Sequence, residues 1–176
     1  MNTYGDVRFR EEQKFRQPWL WLLMSMSVLP VVLVFGIGLV MQLGFDRPFG
    51  SKPMSDAGLV ISAIACFAIC GALTAGFLFI GLVTEVTDEA VLIKFSPLLQ
   101  KTLPLNEIAS CEASDYSPLK DFGGWGVRYG FSKGWAYNVS GSSGVQIVTS
   151  AGKKVLIGSR RAGELAEAIN AACRRP

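Results

Sequence analysis

The chain has 176 residues and a net charge of +3, from 17 basic and 14 acidic side chains. That is too little positive charge, too evenly spread, for a nucleic-acid binder. It contains no histidine, which removes the commonest general base near neutral pH and the commonest zinc ligand.

Residues 1–17 read as a polar N-terminal tail, with Arg8, Arg10, Lys14 and Arg16 ahead of the first apolar run. A secretory signal also begins with basic residues before an apolar stretch. Here the stretch is too long for one, and no small-x-small cleavage site ends it. Residues 18–43 predict a first membrane span, since about 20 apolar residues cross a hydrocarbon core of about 30 Å. Trp19 and Trp21 stand at its start, where amphipathic rings favour the headgroup level. Pro30 frees the Met26 carbonyl, and Ser25 and Ser27 are near enough to help re-satisfy the backbone.

Residues 44–57 form a short external loop, so the two spans are expected to run antiparallel. Residues 58–83 are the second span and carry no charge. Ala68, Ala72 and Gly76 repeat every four residues along it and are the candidate helix-packing face, toward the first span or toward another copy. Four basic residues precede the first span, two lie in the loop, and Lys94 and Lys101 follow the second span. This bias puts both termini in the cytoplasm.

Residues 84–176 predict a cytoplasmic domain. Alternation over residues 83–87 and 90–95 around Asp88-Glu89 reads as a hairpin. Residues 100–105 read as an edge strand because of Pro104, and 108–114 alternate again. Residues 115–124 read as a loop holding Asp115, Lys120 and Asp121. Aromatic strands at 125–129 and 135–139 follow, then a hairpin of 145–149 with 153–157. Residues 160–174 predict a helix capped by Ser159, with Leu165, Ala166, Ile169, Ala172 and Cys173 on one face. The expectation is about seven strands in a small β-barrel or curled antiparallel sheet, closed by the C-terminal helix.

This order resembles that of bacterial two-span membrane proteins carrying a pleckstrin-homology-like (PH-like) domain. The likeness lies in Gly123-Gly124-Trp125-Gly126-Val127-Arg128, Gly134-Trp135-Ala136-Tyr137-Asn138-Val139, Gly144-Val145-Gln146-Ile147 and Lys154-Val155-Leu156-Ile157-Gly158-Ser159, with the closing helix. It implies a binding or scaffolding module in the bacterial inner membrane, with no catalytic residues and no cofactor. Phosphoinositide-binding members carry a basic first hairpin loop. Asp88-Glu89, the matching turn, would repel a phosphate, which argues against that ligand.

No motif names a reaction. Gly124, Gly126 and Gly130 lack the following helix that a phosphate-cradling loop requires. The four cysteines form no metal or disulfide pattern, with Cys66 and Cys70 in the second span and Cys111 and Cys173 far apart. Asn138-Val139-Ser140 matches a glycosylation sequon, which is silent in a cytoplasmic bacterial domain. The spans hold no ionisable side chain besides two thiols, against an intramembrane enzyme or transporter.

The candidate interaction surface comprises Trp125, Arg128, Trp135, Tyr137 and the basic group Lys153, Lys154, Arg160 and Arg161, and the aromatics Trp125, Tyr129, Trp135 and Tyr137 could line a peptide groove. Arg160 and Arg161 stand at a helix start, where the helix dipole disfavours cations. Such a broken local rule can mark function. The leading expectation is a non-enzymatic membrane module that binds a protein partner or itself. The alternative is a sensor of anionic lipid through the basic group.

Overall fold

The computed structural model describes residues 5–174. The outermost residues of the expected tail and domain, 1–4 and 175–176, lie outside the described residues. The chain divides into two units, one of residues 16–78 and one of 1–15 with 79–176.

The first unit is a hairpin of α1 (Pro18–Leu39) and α2 (Asp56–Phe79). Both helices are long and apolar enough to cross a membrane. Almost none of their residues is buried, and Met26 and Ile61 are 65% and 67% exposed. A core helix of a water-soluble protein hides such side chains; these present them outward. The helix continues through Pro30, and Ser27 Oγ donates to the Leu23 carbonyl at 2.9 Å rather than to that of Met26. Past Leu39 the turns widen into a π-helical segment, Val40–Gly44. There Gln42 organises the loop: its Nε2 donates to the Met54 carbonyl (2.8 Å) and to Asp56 Oδ1 (2.7 Å).

The second unit is built from nine strands among the described residues. The first sheet has the order β1 (Val7–Lys14), β2 (Gly81–Thr87), β3 (Ala90–Ser96) and β4 (Leu99–Pro104), all antiparallel. The other strands are β5 (Ile108–Asp115), β6 (Gly126–Gly130), β7 (Gly134–Asn138), β8 (Ser143–Thr149) and β9 (Lys154–Gly158). They form a second sheet in the order β5-β8-β9-β7-β6, in which β7 and β9 run parallel. A helix, α4 (Ala162–Cys173), closes the chain and packs against β1, β2, β5 and β8. Leu82, Val86, Ile93, Ile147, Ile157, Leu165 and Ile169 fill the space between sheets and helix.

Several expectations change. Among the described residues there are nine strands rather than about seven, in two sheets with no closed barrel and one parallel pair. The N-terminal segment read as a tail contributes β1, paired from Lys14↔Gly81 to Val7↔Thr87. Its inward residues are Phe9, Glu11 and Gln13, so two of three are polar and the alternation does not look like a buried strand. The second apolar helix ends at Phe79 and the strand begins at Gly81, since residues 81–83 belong to the sheet. Finally, the helical hairpin is inserted between β1 and β2. Asp88-Glu89 is thus the second connection of the first sheet, and comparison with a first hairpin loop falls on the helical segment instead.

Residues 118–122, expected as loop, form a short helix α3 (Pro118–Phe122). Ser117 is its N-cap, with Pro118 in the first turn and Gly123 in left-handed conformation (φ 70°) at its end. Asp121 Oδ2 accepts from Ser117 N at 2.9 Å, and Asp115 Oδ1 accepts from Ser143 Oγ. Both carboxylates are occupied in holding the loop.

Candidate binding cleft between the sheets

A cleft of about 780 Å³ opens between residues of the two sheets. Its walls are β4, the β6–β7 hairpin and the β8–β9 turn, with Lys101, Tyr129, Phe131, Trp135, Lys153 and Lys154 prominent among the lining residues. Strand register explains why aromatic rings meet here. Val127↔Tyr137 and Tyr129↔Trp135 are cross-strand partners, so all four side chains share one face of the hairpin. Val127 and Tyr137 pack against the core. Tyr129 and Trp135 continue the same face past the end of the core and are 55% and 48% exposed. Tyr129 sits edge-on to Trp135 (5.4 Å between centroids) and to Phe131 (6.2 Å), and Phe131 at the hairpin tip is fully exposed.

The cleft wall depends on one close backbone approach. Gly134 has φ 79°, and a Cβ there would lie 2.1 Å from the Lys154 carbonyl oxygen. Only glycine lets β7 come this near β9. Lys154 Nζ donates to the Ser132 carbonyl at 3.3 Å, tying the hairpin tip to β9. Lys101, Lys153 and Lys154 are all exposed, and Glu107 is the one carboxylate in the lining. Positive charge therefore dominates a rim around exposed rings. Burial pushes the Tyr137 hydroxyl above its ordinary value, so this ring enters the cleft as a neutral phenol.

The predicted surface divides. Trp135, Tyr137, Lys153 and Lys154 converge on the cleft, with Tyr129. Trp125 and Arg128 do not line it: Trp125 Nε1 donates to the Gly141 carbonyl (3.2 Å), and Arg128 Nε donates to the Trp125 carbonyl (3.1 Å). Phe131 and Lys101 join the cleft without having been singled out in the sequence. Phe131 sits in a turn, and Lys101 is brought over by the β3–β4 pairing (Ile93↔Lys101).

Arg160 and Arg161 lie apart, at the start of α4, and their placement has a structural cause. Glu11 of β1 accepts from Ser159 Oγ and from Arg160 N (3.0 Å). Gln13 Nε2 donates to the Gly158 carbonyl at 2.8 Å. The Arg161 guanidinium lies 4.6 Å above the Phe9 ring and 2.9 Å from Glu164. The helix begins at Ala162, and Ser159 acts one step earlier, accepting from Arg161 N at 3.0 Å. Two carboxylates and a ring thus offset the dipole at this helix start.

Other sequence features are accounted for. Asn138 is fully buried, its Oδ1 accepting from Gly126 N at 2.9 Å, so the sequon is inaccessible. The fold brings Cys111 and Cys173 into electrostatic range, both as free thiols. Burial, then the neighbouring Cys173 and Glu112, pushes Cys111 up to about 12, and burial raises Cys173. Both thiols stay protonated at neutral pH and are poor nucleophiles. In the helical hairpin, Leu59 and Ala63 are buried and Phe35 meets Phe67 edge-on at 6.3 Å. Ala68 and Ala72 are exposed and Gly76 half-buried, so the small-residue stripe is not the closely packed face within the chain.

No family model and no curated protein matches this chain in sequence, so its function rests on the geometry of the cleft and the helical hairpin.

Proposed function

We propose that the protein is a non-catalytic module of the bacterial inner membrane. In this reading α1 and α2 span the bilayer, both termini are cytoplasmic, and the PH-like β unit docks an acidic, extended protein segment in its open cleft. The observation that carries the reading is the exposure of Tyr129 and Trp135. They continue the core-facing side of their hairpin, no element of the described residues covers them, and Lys101, Lys153 and Lys154 line the same cleft.

Chemistry favours a peptide. The outer edge of β4 is the edge of its sheet and is open to another strand, and extended segments add to such edges through main-chain hydrogen bonds. Exposed rings offer pockets for apolar anchors, and lysines attract carboxylates. A four-strand sheet, a second sheet and a closing helix support the PH-like reading at the level of architecture. The lipid-sensing basic face loses support, because Arg160 and Arg161 are separated from Lys153 and Lys154 and Arg161 is engaged by Glu164.

Screening a displayed peptide library against the full chain in lipid nanodiscs tests this. The expected outcome is enrichment of acidic peptides with an apolar anchor. Their binding weakens as salt rises, and about tenfold or more in Trp135→Ala or Lys153→Glu/Lys154→Glu, as for removal of an interface anchor. Absence of enrichment, or enrichment indifferent to these substitutions, overturns the proposal. Displacement of the peptides by anionic vesicles, with vesicle binding lost in the same variants, moves the site to lipid.

A further inference from the structure

We propose that the β3–β4 turn, residues 96–99, is a second membrane contact that inserts into the lipid interface. The inference rests on the reading that α1 and α2 span the bilayer. It adds that the β unit itself touches lipid, at a named place.

The strand register carries the argument. β1 ends at Lys14, which is paired with Gly81, and Gly81 is paired with Ser96. Gly81 stands two residues past the end of α2 at Phe79, and Lys14 four residues before Pro18 of α1. Where the helices leave a bilayer, these strand ends are therefore held at its surface. Neighbouring strands are about 4.8 Å apart and a strand advances about 3.3 Å per residue, so Leu98 lies within roughly 12 Å of Gly81.

The composition of the turn suits that level. Leu98 is 65% exposed at the tip, with Pro97 and Leu99 also exposed. Leu98 N donates to the Phe95 carbonyl at 2.8 Å, which closes the turn. Basic groups flank it: Lys14 on β1, Lys94 on β3, Lys101 on β4 and Arg10 on the outer face. Their carboxylate partners are Glu12, 3.2 Å from Lys14, and Glu85, between Lys94 (3.0 Å) and Arg10 (3.5 Å). Four cations against two carboxylates leave a positive surplus around an apolar tip. Interfacial segments combine these two features, the apolar part entering the acyl boundary and the cations meeting anionic headgroups. The opposite end of β3, at Asp88-Glu89, is acidic and six strand residues, about 20 Å, away.

Photo-crosslinking of the full chain in phosphatidylethanolamine–phosphatidylglycerol vesicles tests the inference. A diazirine amino acid is placed at Leu98, at Glu89, and at Ile64 on the outer face of α2, and lipid adducts are read by mass spectrometry. The expected result is adducts at positions 64 and 98, several-fold above position 89. Adducts at 64 without adducts at 98 overturn the inference and leave the membrane reading standing. Equal yields at 89 and 98 also overturn it, since contact is then not specific to the turn. Failure at 64 overturns the membrane reading and the inference with it.

Discussion

The β unit has two apolar surfaces, one packed under α4 and one lining the cleft, and the chain treats them differently. On one side α4 inserts Leu165 and Ile169, both fully buried, between the strands. Phe9, Glu11 and Gln13 of β1 then stitch the start of that helix down. On the other side the same kind of apolar face runs on to Tyr129, Phe131 and Trp135 and is left uncovered. A two-sheet fold needs its core sealed once to be stable. A second apolar surface that keeps its rings exposed costs burial energy and leaves a surface for something outside the chain.

Substitutions sharpen this contrast. The largest effect is expected on the sealed side, where Ile169→Ala removes a fully buried side chain and costs about 2–5 kcal/mol of stability. Chemical denaturation of the reconstituted protein, followed by tryptophan fluorescence, reads it. Glu11→Ala comes next, at about 1–3 kcal/mol, because the Ser159 hydroxyl and Arg160 N–H lose their buried acceptor. Glu11→Gln keeps an acceptor and should lose less. A loss in Glu11→Ala no greater than for an exposed residue would show that β1 does not stitch the helix.

A smaller effect is expected with pH. Cys111 is raised in the fold from 9.0 to about 12, so above about pH 9 the unfolded chain binds fewer protons than the native one. The contribution is fully present below that pH and is lost as pH rises toward 12. Tyr116 and Tyr137, also raised by burial, act in the same direction at higher pH. A Cys111→Ala variant should show a shallower fall between pH 9 and 11 in thermal unfolding; an unchanged slope would refute the assignment. The smallest stability effect belongs to the open side. Phe131→Ser should stay within about 0.5 kcal/mol of the parent while weakening peptide binding. A large destabilisation would mean that the ring belongs to the core and that the opening is not free.

Half of the cleft was legible. Trp135, Tyr137, Lys153 and Lys154 stood out by residue type, and the hairpin register brings them together. Lys101 did not, because only strand pairing across the sheet delivers it. The helix at 118–122 had a readable signal, Ser117-Pro118 ahead and Gly123 behind, that the surrounding polar residues masked. Strand β1 was hidden because its buried side chains include Glu11 and Gln13, whose hydrogen-bond partners lie about 145 residues further on.

By itself, the sequence determined the two long apolar helices, the short loop that folds them into a hairpin, the β-rich unit after them, and the amphipathic C-terminal helix. These follow from local periodicity and from runs of apolar residues, which act over neighbouring positions. Only the tertiary structure decided that the hairpin is an insertion between two paired strands rather than a preceding anchor. It alone decided that the start of the last helix is held by a buried carboxylate and a ring, and that the face under α4 is covered while Tyr129 and Trp135 stay exposed. Each of those depends on groups far apart in the chain meeting in space, and no window along the sequence contains both partners.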